Sequence, residues 1–177
     1  RCPWLYNASM NLHRRSERIS PALRYGKVMH TILEYWYKTG SAKFAKYAAE
    51  QKHAKDFTYG FEDYRSLERA MVVFDDYLLR WKDIEEKNER TLGFPDSPLV
   101  ELSTNVILPR VNVPYAVRID RVFEYQGGVY IEDHKTTSMF GATYYDEWEG
   151  SPQMMGYFRA AQLLLDFPIR GVRINVV

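Results

Sequence analysis

The chain of 177 residues has a single cysteine and no long hydrophobic run. Because Cys2 is alone, a disulfide framework and any zinc or iron–sulfur site built from cysteines of this chain are excluded. No apolar stretch approaches the ~20 residues of a membrane helix, and no signal-peptide pattern opens the sequence. We therefore expect no membrane association and a reducing, cytoplasmic location.

Net charge is also nearly absent. Lysine and arginine number 24 against 23 acidic residues, so the formal charge of +1 gives no overall signature of a nucleic-acid-binding protein. Hydrophobic residues make up 46%, which is enough for a sizeable core, and the length fits one domain over residues 1–177. The chain begins with arginine, not methionine, and ends in a predicted strand, so we expect a piece of a longer protein.

The first part of that domain, about residues 1–92, has the periodicity of helices. One helix is predicted from Pro21 to about Lys38, a second over residues 41–55, and a third from about Phe61 to Glu89. The apolar stripe predicted to be buried on the first helix consists of Leu23, Val28, Met29, Ile32, Leu33 and Trp36. The stripe on the third, which we expect to pack in the core and not to bind a cofactor, consists of Tyr64, Leu67, Met71, Phe74, Leu78, Trp81 and Ile84.

The second part, about residues 93–177, is predicted to contain the sheet. Alternating, β-branched segments predict strands over residues 100–108, 115–125, 129–135 and 170–177, with a helix from Pro152 to about Asp166 before the last strand. The tripeptide Gln-Gly-Gly at 126–128 predicts a tight hairpin turn. Helices, a three-strand meander, a helix and a further strand together indicate an α/β fold with a mixed sheet.

The hairpin brings charged side chains together. A turn at residues 127–128 pairs Asp120 with Lys135, whereas a turn at 126–127 pairs Asp120 with Asp133, and the sequence does not decide between them. Since side chains alternate along each strand, Asp120, Asp133 and Lys135 share one face of the sheet in both registers. Glu132 and His134 point to the other face, so His134 is not expected to be a side-chain ligand.

Two interpretations of this charged face remain open. Buried charges are costly unless they are paired or bind a metal, so Lys135 could form an internal salt bridge in a purely structural α/β domain. Two acids with one base leave an uncompensated negative charge, however, which a divalent cation would balance. We favour the metal site.

The two strands also resemble motifs of one nuclease family. Residues 118–122 (Arg-Ile-Asp-Arg-Val) resemble the G-x-[I/L]-D-R-[V/I] strand of the PD-(D/E)XK nuclease superfamily. Residues 131–136 (Ile-Glu-Asp-His-Lys-Thr) resemble the hydrophobic-D/E-x-K-Thr motif of its RecB-like exonuclease branch. Val117 stands where the family has a glycine, a departure that removes no charged group.

Three further segments resemble the same branch, in its order. Gly26, His30 and Glu34 are similar to an upstream G-x-x-x-H-x-x-x-E helix, and Gln153 and Tyr157 to a downstream Q-x-x-x-Y. The opening Cys-Pro at residues 2–3 resembles an N-terminal C-P segment. The iron–sulfur cysteines of some relatives are absent, so no iron–sulfur cluster is expected within this chain.

The resemblance implies a restriction-endonuclease-like core and an Mg²⁺- or Mn²⁺-dependent deoxyribonuclease. His30, Asp120 and Asp133 are then the expected metal ligands, and Lys135 is expected to position the attacking water or stabilise the transition state. With an ordinary histidine pKa near 6.5, metal affinity should fall as the pH drops through that value.

The partner expected from the same resemblance is DNA, bound in part by Gln153 and Tyr157. The expected role is that of an exonuclease in recombination, repair or phage replication, with a helicase as a fused or bound partner. A catalytically silent DNA-binding module and the structural α/β domain are the alternatives. Glu34 and Glu101, an acidic residue on the strand before the hairpin, are assigned no role.

Overall fold

The computed structural model describes residues 20–57, 65–94, 96–109, 114–137, 141, 144, 146 and 148–177. Cys2, Pro3 and the start of the third predicted helix lie outside these ranges. None of the helices within them is long and apolar enough to cross a membrane.

Helices come first along the chain, as predicted. Their bounds are α1 Pro21–Thr39, α2 Ala42–His53 and α3 Leu67–Asn88, and a 3₁₀ helix, Ala54–Phe57, follows α2. Ser20, Ser41 and Ser66 cap the three α-helices, because each hydroxyl accepts a hydrogen bond from the backbone N–H three residues later. Gly40 ends α1 in the left-handed conformation, with φ of 64°.

The three helices pack around one apolar core. Its buried residues are Val28, Met29, Ile32, Leu33, Trp36, Ala45, Ala49, Leu67, Ala70, Phe74 and Tyr77. The predicted stripes are therefore correct over most of their length and wrong at three positions. Leu23 at the start of α1 is 57% exposed, and Trp81 and Ile84 in the second half of α3 are each 48% exposed.

Seven strands follow within the described ranges. They are β1 Glu89–Thr91, β2 Gly93–Phe94, β3 Ser97–Pro98, β4 Val100–Ile107, β5 Pro114–Tyr125, β6 Gly128–Lys135 and β7 Ile169–Val176. In the main sheet β5 is central: β6 pairs antiparallel along one edge, and β4 and β1 pair antiparallel along the other. β7 adds to the outer edge of β6 in parallel. The α/β fold with a mixed sheet and a helical N-terminal region is confirmed, and it is consistent with a restriction-endonuclease-like core.

The hairpin turn lies at residues 126–127, where both backbone φ angles are positive. Arg121 therefore pairs with Glu132, which selects the second of the two registers considered above. Continued by one residue, this register places Asp120 opposite Asp133.

α4, Pro152–Leu164, connects the hairpin to β7 and covers one face of the sheet. It begins at the predicted Ser151-Pro152 pair, although the Ser151 side chain makes no capping hydrogen bond. The second core lies between α4 and the sheet, and its buried residues are Val106, Val117, Ile119, Val122, Ile131, Ala160, Ala161 and Ile169.

Candidate metal and active site

The hairpin fixes Asp120 through the backbone of the neighbouring strand. The N–H of His134 donates a hydrogen bond to Asp120 Oδ2 over 2.7 Å, and both residues are buried. The Asp120 carboxylate therefore has a defined orientation in the sheet before any ligand binds.

Helix α1 brings His30 to this carboxylate. His30 Nδ1 lies 3.4 Å from Asp120 Oδ2 and 3.8 Å from Glu101 Oε1 of β4. His30, Glu101 and Asp120 each offer one ligand atom, and the three atoms lie within 4.8 Å of one another. One imidazole nitrogen and two carboxylate oxygens form a donor set that fits Mg²⁺ or Mn²⁺.

Asp133 and Lys135 lie beside this group as an ion pair. Lys135 Nζ is 2.5 Å from Asp133 Oδ2, at an angle that leaves this buried oxygen without a partner of hydrogen-bonding geometry. The Lys135 ammonium also lies 5.0 Å from the centre of the Trp148 ring. Asp133 is thus close to the three-residue group but not part of it, and the salt bridge considered from the sequence is present.

All the predicted site residues line one cavity of about 530 Å³. They are His30, Asp120, Asp133, Lys135, Gln153 and Tyr157. On α4 the Gln153 amide donates to the Tyr157 hydroxyl over 3.0 Å, so both side chains face the cavity from its helical wall. Three further basic side chains, Lys27, Lys52 and Arg118, also line it, which gives a cavity with acids at its base and cations at its rim.

The acids and the histidine perturb one another. Burial lowers the pKa of His30, but the adjacent carboxylates of Asp120 and Glu101 raise it more strongly, to about 10. Burial raises the pKa values of Asp120 and Glu101, and His30 then lowers both below their ordinary values. The pKa of Asp133 is raised, because burial outweighs the Lys135 ammonium. The value near 6.5, which holds for an unperturbed histidine, therefore does not apply to His30.

The remaining residues of the upstream helix motif take different positions. A Cβ atom on Gly26 would lie 3.3 Å from Thr136 Oγ1, so a glycine here allows α1 to approach the end of β6 closely. Glu34 pairs with Lys38 over 2.6 Å and lies 3.9 Å from Lys52 Nζ. It therefore forms an i,i+4 ion pair on α1.

Glu101 is the functional candidate that sequence reasoning missed. The register of β4 on β5 places it opposite Asp120, and its backbone has a φ of 56°, in the left-handed region that few non-glycine residues adopt. A hydrogen bond from Arg118 also holds its carboxylate. The strand pattern could not show this position, because the register between β4 and β5 does not follow from the sequence.

A family model described as the PD-(D/E)XK nuclease superfamily matches residues 1–176. The match supports the superfamily and does not distinguish the RecB-like branch. No curated protein matches the chain.

Proposed function

The chain belongs to the PD-(D/E)XK nuclease superfamily, and we propose that it is a deoxyribonuclease that cleaves phosphodiester bonds with Mg²⁺ or Mn²⁺, as an exonuclease of the RecB-like branch. The observation that carries this proposal is that His30 and Asp120, which form a possible metal-binding group with Glu101, line one cavity with the Asp133–Lys135 pair.

His30, Asp120 and Asp133, together with Glu101, would hold the metal ion. The ion would supply Lewis-acid chemistry, which lowers the pKa of a water molecule and offsets charge at the scissile phosphate. Burial and the neighbouring Asp120 charge both raise the pKa of Asp133, so a bound cation would stabilise its ionised carboxylate.

Lys135 supplies the positive charge that the transition state needs. In the absence of substrate its ammonium pairs with Asp133 and faces the Trp148 ring, so it is held at the edge of the cavity. As negative charge grows on the phosphate oxygens, an ammonium already placed there stabilises it without reorganisation.

The helical wall and the cationic rim suit a DNA backbone. Gln153 and Tyr157 offer an amide and a hydroxyl to phosphate or sugar oxygens, near the N-terminus of α4. The side chains of Lys27, Lys52 and Arg118 add positive charge around the opening. A cytoplasmic role in recombination, repair or phage replication, with a helicase as partner, is part of the same proposal.

The proposal is tested by incubating linear and covalently closed circular DNA with the protein and Mn²⁺, Mg²⁺ or EDTA. We expect metal-dependent degradation of the linear DNA only. Lys135→Ala should reduce cleavage about a hundredfold or more, with DNA binding in EDTA little changed, because the lysine acts chiefly in the transition state.

The matched control is Lys82→Ala, a surface lysine of α3 that pairs with Glu86 in the next helical turn. It should cleave like the parent. Equal cleavage by Lys135→Ala and the parent would contradict the proposed mechanism. Binding without any cleavage by the parent would favour the silent DNA-binding module. The absence of both would favour the structural domain, to which the Asp133–Lys135 salt bridge already lends support.

A further inference from the structure

Tyr37 on α1 contacts two residues, Arg121 and His134, that each directly follow a candidate metal ligand in the sequence. The Arg121 guanidinium carbon lies 4.0 Å from the centre of the Tyr37 ring. The His134 ring stacks on the same tyrosine, with the ring centres 5.6 Å apart and the planes 4° from parallel. Cation–π and stacking contacts of this kind require the aromatic ring to keep one position.

The two residues that Tyr37 contacts are important because each follows a candidate metal ligand in its strand. Arg121 directly follows Asp120, and His134 directly follows Asp133 and donates its N–H to the Asp120 carboxylate. Tyr37 therefore contacts β5 and β6 at the points where each strand presents a carboxylate to the cavity.

The third ligand is on the same helix as Tyr37. His30 precedes it by seven residues, which is two helical turns, so the two side chains project from the same side of α1. A ring fixed against both strands sets the rotation and the axial position of α1. It thereby sets how far His30 lies from Asp120.

The hydroxyl of Tyr37 restrains the ring from its other end. It donates to Glu85 Oε1 of α3 over 3.0 Å and lies 2.8 Å from the Tyr77 hydroxyl. Asn175 of β7 donates to that Tyr77 hydroxyl over 3.0 Å. The ring is thus held by α3 and β7 as well as by the hairpin.

We infer that Tyr37 is a positioning residue of the metal site, which fixes His30 on α1 relative to the carboxylates of β5 and β6. This inference rests on the proposed function, since it assigns Tyr37 a task only if His30 binds metal. It predicts that the stacking ring matters more to the site than the hydroxyl does.

The test measures Mn²⁺ and Mg²⁺ binding to the whole chain by titration calorimetry. Tyr37→Leu should weaken Mn²⁺ binding about tenfold, because groups that orient a ligand typically contribute this much, and should weaken Mg²⁺ binding less, because imidazole favours the softer ion. Tyr37→Phe keeps the ring and should bind Mn²⁺ within about twofold of the parent. Tyr35→Leu, which removes a tyrosine of α1 that packs on Phe44, is the matched control and should bind like the parent.

A double-mutant cycle separates positioning from general support of the fold. If Tyr37 acts through His30, Tyr37→Leu should have no further effect on Mn²⁺ affinity in the His30→Ala background. The same factor in both backgrounds would overturn the inference and leave the proposed function intact, whereas a parent that binds no Mn²⁺ would overturn both. If Tyr37→Leu does not fold, Tyr37→Met replaces it, and failure of both to fold would show that Tyr37 supports the core instead.

Discussion

Asp133 is placed where a salt bridge and the proposed metal ion would compete for one carboxylate. Its Oδ2 atom faces the Lys135 ammonium, yet the pKa of Asp133 is raised, because burial costs more than the lysine returns. An acid whose pKa is higher in the folded protein than in the unfolded chain destabilises the fold when it is ionised. At neutral pH the metal-free protein therefore carries a carboxylate that opposes its stability.

Replacing this carboxylate should accordingly not harm the metal-free protein. We expect Asp133→Asn to leave the melting temperature in EDTA unchanged or to raise it by about 2–5 °C, and to abolish most of the increase that Mn²⁺ gives the parent. Asp120→Asn is the contrasting variant, because the pKa of Asp120 is lowered and its charge stabilises the fold. It should melt lower in EDTA. A large loss of stability in Asp133→Asn would favour the purely structural salt bridge.

His30 should lose a proton when metal binds. With a pKa of about 10 it is protonated at neutral pH, whereas coordination requires a free ring nitrogen. Mn²⁺ binding at pH 7.5 should therefore release about one proton, measured by calorimetry in buffers of different ionisation enthalpy. His30→Gln, which cannot release that proton, is the control. Binding by the parent without proton release would show that His30 is not a ligand.

The sequence predicts where these residues lie only when their placement depends on the geometry of a single strand. Asp120, Asp133 and Lys135 could be assigned to one face because side chains alternate along every strand, whatever the register. Glu101 depends on how β4 aligns with β5, and the pKa of His30 depends on carboxylates that β4 and β5 bring to α1. Neither the position of Glu101 nor the pKa of His30 can therefore be predicted from a local sequence pattern.

At the level of elements, the helices were predictable because their signals lie within a few residues. Apolar spacing and a serine cap define the start of α1, and a glycine defines its end. The end of α3 was predicted correctly to within one residue, but the strand that follows it was missed. Glu89 begins β1 because Arg121 and Arg173 bind its carboxylate from β5 and β7, strands that lie far away in the sequence.

α4 shows how packing overrides helix propensity. Gly156 in its interior costs about 1 kcal/mol relative to alanine. A Cβ atom there would collide with the hydroxyl end of the Tyr115 ring of β5, so the glycine leaves room for this ring against the helix. This close approach keeps Gln153 and Tyr157, which flank the glycine, at the edge of the cavity.

At the scale of the whole molecule, two groups of charges lie next to each other along β5 and β6. Asp120 and Asp133 line the cavity, while Glu89, Arg121, Glu132 and Arg173 form a neighbouring cluster. Two acids and two arginines balance in charge, and they link β1, β5, β6 and β7. Arg121 directly follows Asp120 and Glu132 directly precedes Asp133, so the cluster supports both strands that carry the cavity acids.

Breaking this cluster should cost far more stability than breaking an exposed ion pair. Burial raises the pKa of Glu132, but His134, Arg121 and Arg173 lower it below the ordinary value, so the ionised carboxylate stabilises the fold. Glu132→Gln should reduce the free energy of unfolding by about 3 kcal/mol at pH 7, because it leaves buried arginines with one acid. A lowered pKa stabilises the fold only at pH values above the ordinary glutamate range. The difference in unfolding free energy between the variant and the parent should therefore shrink as the pH falls through and below that range.

The matched control is Glu124→Gln, whose partner Arg90 is 75% exposed, and its cost in unfolding free energy should stay under about 1 kcal/mol. Urea denaturation of the parent and the two variants between pH 3.5 and pH 7 measures both effects. An equal loss of unfolding free energy in the two variants would contradict the role of the cluster. A loss in Glu132→Gln that does not change with pH would contradict it as well.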